Sequence, residues 1–199
     1  MRKAINHLKK ADPVLARIIT KVGPYKPTKR EPSFRTLVRA IVFQQLATKA
    51  AQTIHDRFEN LCGGAITPQA VRMLSVGEMK SVGLSKQKLS YIRDLADHVH
   101  EGRLDFTNLH TLPDEEIIDI LTDVKGIGVW TAQMFLLFAL DRPNVLPTGD
   151  FGVQKAVKIA YRKRKLSPKH VAQIGKKWHP YCSVASWYMW RSLDLGAEV

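Results

Sequence analysis

Three groups of residues in this chain have the types and spacing to do chemistry. The first is Asp150, which ends the proline-containing run DRPNVLPTGD (141–150) and precedes a helix expected from Val153 to Tyr161. As a helix N-cap it accepts a backbone N–H, a common structural role for Asp. A carboxylate fixed in that way can also face a sugar and stabilise positive charge developing at C1′, or orient a water. The second is the turn LTDVKGIGVWTA (121–132), in which Gly126 and Gly128 separate two apolar helical segments. Its glycines allow φ > 0 and close backbone approach. The amides that open the following helix, with the positive end of its dipole, suit a phosphate oxygen, and Lys125 adds a cation. A Gly-x-Gly turn alone serves equally well as a sharp corner between helices. The third group is aromatic: Trp130 follows that turn, and Trp187 and Trp190 lie together near the end of the chain. Such rings pack a core, or stack on an extruded base.

The elements that must position these groups read as helices. Asp12-Pro13 caps a segment that stops at Gly23. Ser33 precedes Phe34, Leu37, Val38, Ile41 and Val42, one helical face. Thr48, Thr67 and Ser85 are further cap candidates, and Ser75 with Glu78 forms a capping-box pattern. Acidic residues follow Pro113 in the first turn of another helix, and the helix after the Gly-x-Gly turn is expected from about Val129 to Leu140. Ser167-Pro168 opens one of the last helices, and the final one is expected from Ser183 to Leu195. No period-2 run, Asn-Gly hairpin or internal repeat is present, so the chain reads as all-α, with about ten short helices.

Composition narrows the function classes. The 199 residues carry 31 Lys+Arg against 18 Asp+Glu, a formal charge of +13. An excess of that size draws a protein to polyanions, nucleic acid foremost. The longest apolar run, Met134 to Leu140, falls far short of the ~20 residues of a membrane span. The N-terminus has no signal-peptide core, so a cytoplasmic protein is expected. The two cysteines, Cys62 and Cys182, cannot make a four-Cys metal site or a disulfide framework. No nucleophile elbow, triad or P-loop ending is present.

In this order, the features resemble the helix-hairpin-helix DNA glycosylase superfamily, and within it the 3-methyladenine DNA glycosylase II branch. VKGIGVWTA resembles the family's hairpin, and TGD ending at Asp150 its catalytic aspartate. FRTLVRAIVFQQLATKAAQTIHDRF (34–58) and GLSKQKLSYIRDLA (83–96) resemble two further blocks of the branch, so that the likeness covers about residues 30–192.

The resemblance implies a single domain of two helical lobes over residues 1–199, with the hairpin and an active-site cleft between the lobes and no separate N-terminal β domain. It implies Asp150 as the catalytic carboxylate and Trp130, Trp190, Trp187 and Met134 as base-pocket positions. Gln45, Lys125, Gly126, Gly128, Val129 and Thr131 would contact DNA, with Gln45 filling the gap left by a flipped nucleotide. The carbonyls of Thr122, Val124 and Ile127 would hold a monovalent cation, Na+ or K+. No other cofactor and no iron–sulfur cluster is implied. Trp130 stands where the bifunctional branches carry a Schiff-base Lys, which implies no lyase activity. Ala47 and Met134 depart from the branch's usual residues.

The function expected is monofunctional release of alkylated purines from double-stranded DNA, by a monomer with no membrane association. The alternative is a non-catalytic helix-hairpin-helix DNA-binding module, which would need neither Asp150 nor the aromatics.

Overall fold

The computed structural model describes residues 1–195, and every regular element among them is helical. In chain order these are α1 (Arg2–Ala11), α2 (Pro13–Val22), α3 (Phe34–Phe43), α4 (Thr48–Leu61), α5 (Pro68–Met73), α6 (Val76–Ser81), α7 (Lys86–His100), α8 (Asp114–Asp123), α9 (Val129–Phe138), α10 (Phe151–Ala160), α11 (Pro168–Gly175) and α12 (Cys182–Ser192). Short 3-10 turns lie at Leu109–Thr111, Lys176–Trp178 and Leu193–Leu195. None of the described helices is long and apolar enough to cross a membrane.

Local chemistry sets most of the helix starts. Asp12, Ser33, Thr67, Ser75, Ser85 and Asp150 each accept a backbone N–H from the first turn they precede, and Ser75 and Glu78 complete the capping box. Not every helix start follows this rule. Ala47, not Thr48, is the N-cap of α4, and Thr48 is its first residue. Helix α1 has no cap signal: Met1 offers no capping side chain, and the segment is rich in Lys and Arg. Its buried Ala4 and Leu8, four residues apart on one face, hold it by packing instead.

The chain divides into two compact units. One is continuous, residues 30–135. Its core includes Leu37, Val38, Ile41, Phe58, Val71, Met79, Ile92, Leu95 and Leu121, with α7 packed against α3, α5 and α6. The other is built from residues 1–29 and from residue 136 onward. Its core joins Leu8, Leu15 and Ile18 to Val153, Val157, Trp178, Tyr188 and Met189, with α12 packed against α2 and α10.

Candidate active site

In the continuous unit, the hairpin runs from α8 through Val124–Gly128 into α9. Gly126 sits at φ +81°, and a Cβ there would overlap the ring of Tyr91 on α7, so the turn requires glycine. The first helical bond of α9 runs from the Ala132 amide to the Gly128 carbonyl at 3.1 Å. The amides of Val129 to Thr131 therefore precede the helical ladder, where an anion is favoured. Gly128, Val129 and Trp130 are exposed, while the Thr131 side chain is buried.

Lys125 is held in a way its sequence position does not announce. Its amide donates to Asp94 Oδ2 at 2.9 Å, and its ammonium lies 3.0 Å from Asp94 Oδ1. Burial alone would raise the Asp94 pKa, but the Lys125 amide and ammonium outweigh it and hold the group below its ordinary value. Lys125 thus anchors the hairpin to α7, and part of its charge is already answered.

The loop after α3 is the second exposed element of this unit. Gln45 adopts φ +56°, uncommon for a residue with a side chain, and Leu46 beside it is 39% exposed. The Gln44 amide nitrogen reaches the Gly126 carbonyl at 2.8 Å, tying this loop to the hairpin. Gln44, Gln45, Leu46, Lys88, Tyr91 and Gly126 are among the residues lining a cavity of about 350 Å³.

The other unit holds Asp150, 8% exposed, as the N-cap of α10. Two donors converge on its Oδ1: the Val153 amide at 2.7 Å and the indole Nε1 of Trp190 at 2.8 Å. The loop leading to it is fixed by the Asp150 amide to Pro147 O at 3.0 Å and by Gln154 Nε2 to Thr148 O at 2.9 Å. Further back, Ser183 Oγ on α12 accepts the Val145 amide at 2.9 Å and donates to Arg142 O at 2.5 Å.

Gly152 is the residue whose role the sequence hides. A Cβ there would lie 2.9 Å from Trp190 Cδ1 and 3.1 Å from Asp150 Oδ1, so the missing side chain is what admits the indole to the carboxylate. Phe151, directly after Asp150, is 80% exposed. Lys155, Lys158 and Arg162 to Lys165, which follow Asp150 in the chain, are all exposed.

The two tryptophans of α12 separate. Trp190 is half-buried and stacks at a tilt on Phe138, centroids 5.8 Å apart. Trp187, expected in the base pocket, is a core side chain instead: it is buried edge-on between Tyr25 and Tyr188, with centroids 4.9 Å from each. Three residues apart on a helix that is buried along most of its length, the two rings point into different surroundings. Met134 is half-buried, and Trp130 is 52% exposed.

Metal-type ligands cluster once among the described residues, at His55, Asp56 and Glu59. Arg35 already holds Glu59 through two bonds of 2.6 and 2.9 Å, and Gln52 donates to Asp56 Oδ1 at 2.6 Å. Burial, then the charges of Arg35 and Arg39, pushes His55 below its ordinary pKa. The carbonyls of Thr122, Val124 and Ile127 are a different donor set, three neutral hard oxygens at a glycine turn. Such a set fits a monovalent cation; the Val124 oxygen also accepts the Ile127 amide at 3.1 Å.

A hairpin with anion-seeking amides and a buried, doubly bonded aspartate capping a later helix are the two halves of one known protein class. The HhH-GPD superfamily of base excision DNA repair proteins matches residues 38–180, and the chain belongs to it. Its relatives narrow the likeness. DNA-3-methyladenine glycosylase 1 of Schizosaccharomyces pombe is 32% identical over 203 residues, 98% of this chain and 89% of that protein. A crystal structure of a DNA-3-methyladenine glycosidase from Bacillus halodurans is similar at TM-score 0.87 and 40% identity, over 95% of this chain and 88% of the other. The S. pombe 3-methyladenine DNA glycosylase in complex with abasic DNA is similar at TM-score 0.87 and 31% identity, over 99% of both chains.

Proposed function

We propose that the protein is a monofunctional DNA glycosylase that hydrolyses the N-glycosidic bond of alkylated purines, of the 3-methyladenine and 7-methylguanine type, in duplex DNA. The observation that carries this reading is the Asp150 carboxylate, buried and held on Oδ1 by the Val153 amide and the Trp190 indole. A helix cap needs only the first of these bonds. The second fixes the carboxylate beside an aromatic face, as a site for a flipped nucleotide requires.

Alkylation at N3 or N7 places positive charge on the purine. When the C1′–N bond breaks, its electron pair moves to the base, which leaves neutral, and the sugar carries oxocarbenium character. Asp150 stabilises that cation through space, water adds its oxygen to C1′, and the extra proton passes to solvent. Because the base already leaves well, one carboxylate suffices and no strong general acid is needed.

The hairpin amides around Gly126, Gly128 and Val129 hold a backbone phosphate, which positions the duplex without reading its sequence. A monovalent cation on the Thr122, Val124 and Ile127 carbonyls would add positive charge there. Extrusion of the base costs about a few kcal/mol. The Gln45–Leu46 tip offsets part of this by filling the vacated space, Leu46 supplying the apolar surface that wedges use. Trp190, and separately Trp130, offers a face on which a cationic base stacks. Trp130 also leaves no amine at that position for a Schiff base, so the strand stays intact. The charge of +13 brings the protein, acting as a monomer, to DNA.

The test is base release and strand nicking from methylated duplex DNA, by the wild type and Asp150→Asn. Release by the wild type alone, with nicking only after alkali, is the expected result. Equal release by both proteins removes Asp150 from the reaction, and nicking without alkali makes the protein a lyase. DNA binding with no release would favour the non-catalytic module.

A further inference from the structure

Helix α7 presents Lys88, Tyr91 and Asp94 at successive spacings of three, on one face. Each reaches a different part of the same unit. The Lys88 ammonium donates to the Val42 carbonyl at 2.7 Å and to the Gln44 carbonyl at 2.9 Å. Tyr91 packs against Gly126, and Asp94 holds Lys125. Gln44 closes the circuit by donating its side-chain N–H to Gly126 O at 2.8 Å.

The two Lys88 contacts fall on the C-terminal end of α3 and on its cap, where carbonyls lack helical partners and the dipole is negative. Directly after them the backbone turns left-handed at Gln45, φ +56°. A side-chain-bearing residue stays in that conformation only where its surroundings fix it. The half-buried Lys88 and the Gln44–Gly126 bond are the contacts that fix it. Retaining a partly desolvated ammonium there is costly, and burial pushes the Lys88 pKa down. An apolar core contact would hold α3 to α7 without it.

We infer that Lys88 and Gln44 are positioning residues for base extrusion: they clamp the left-handed Gln45–Leu46 tip in a fixed register with the phosphate-binding hairpin. The inference rests on the glycosylase reading above. Neither residue touches the reacting atoms. With the tip clamped, the phosphate grip on the hairpin and the insertion of the tip become one rigid movement; with it loose, the duplex is held but the gap is filled poorly.

The clamp is tested by single-turnover release of 7-methylguanine from two duplexes. In one the lesion faces cytosine; in the other it faces an abasic analogue, so that no pairing has to be broken. The proteins are the wild type, Lys88→Met and Gln44→Glu, which sets a carboxylate oxygen against the Gly126 carbonyl. Thermal unfolding and binding to undamaged duplex are measured alongside.

The expected loss is on the order of 10²-fold on the paired lesion, the scale of an ångström-level misplacement. On the unpaired lesion it shrinks to under about tenfold, because extrusion is easier there. Binding to undamaged duplex stays within about threefold, because phosphate contacts supply it. Equal losses on the two duplexes, or none on the paired one, overturn the clamp and leave the glycosylase reading standing. If Lys88→Met does not fold, Gln44→Glu decides by the same ratio. Failure of the wild type to release base from either duplex overturns the glycosylase reading, and the clamp with it.

Discussion

Asp12 and Asp150 make an instructive pair. They lie in the same unit, both are buried, and both are the N-cap of the helix that follows. Both accept a backbone amide of that helix, and both accept an indole N–H. What differs is how the rest of each site is furnished. Asp12 is saturated: Oδ1 takes the amides of Val14 and Leu15, Oδ2 takes the Tyr161 hydroxyl and the Trp178 indole, and Lys177 stands 3.9 Å away. It joins α2 to the end of α10 and to the turn at Trp178. At Asp150, by contrast, the amide and the indole crowd onto one oxygen, a glycine two residues on makes room for the indole, and the next side chain, Phe151, stands in solvent. The cap is the same device in both places; at Asp12 it ties α2, the end of α10 and the turn at Trp178 together, and at Asp150 it fixes a carboxylate beside a half-buried indole.

The largest expected effects break this comparison directly. Asp150→Asn keeps a cap acceptor, so stability stays within about 1 kcal/mol, while single-turnover base release falls by roughly 10³-fold or more. Asp12→Asn does the reverse. Its amide N–H₂ cannot accept from both the Tyr161 hydroxyl and the Trp178 indole, so the melting temperature drops by about 5–10 °C, from roughly 2–3 kcal/mol. Release per folded molecule is unchanged. If the Asn at 12 cost activity and the Asn at 150 cost stability, the division of roles would be wrong.

Gly152→Ala sharpens the comparison at one side. Alanine favours a helix over glycine by about 1 kcal/mol, yet its Cβ would press on Trp190 and Asp150 Oδ1. A drop of roughly tenfold or more in release, without loss of stability, is expected, and kinetics set beside a melt would show it. Trp190→Phe, which keeps a ring but removes the N–H to Asp150, should slow release by roughly tenfold, the scale of one hydrogen bond to a charged group.

The smallest effect is alkaline. Burial, then the Asp12 bond and charge, raises Tyr161; burial first raises Tyr25 to about 12 and Cys182 to about 12. The folded protein keeps these protons where the unfolded chain, with ordinary values of 10.0 and 9.0, releases them. The stability these groups supply is therefore fully present below about pH 9 and is lost as pH rises toward 12. Urea unfolding across that range should show a steady decline, and Tyr161→Phe should reduce its slope.

Much of this was legible in the residues. Caps at Asp12, Ser33, Thr67, Ser75, Ser85 and Asp150 are local chemistry, read within four positions of chain. The hairpin was legible because two glycines interrupt apolar helices. The rest depends on partners far away in sequence. Nothing local separates Trp187 from Trp190 on one helix, since their neighbours come from other elements: Tyr25 for the first, Asp150 for the second. Asp12 reads only as a cap because Tyr161 and Trp178 lie 149 and 166 residues away. Lys88 reads as a surface lysine until the end of α3 is placed against it.

The unit that holds Asp150 is discontinuous, with residues 30–135 inserted within it. During synthesis the ribosome therefore delivers α1 and α2 first, with their apolar faces uncovered, and must finish the whole inserted unit before α10 and α12 arrive to cover them. The inserted unit can fold as it emerges; the carboxylate-bearing one waits for nearly the full chain. The glycine turn at Gly126 and Gly128 is thus complete in the growing chain well before the unit that fixes Asp150 can close around it.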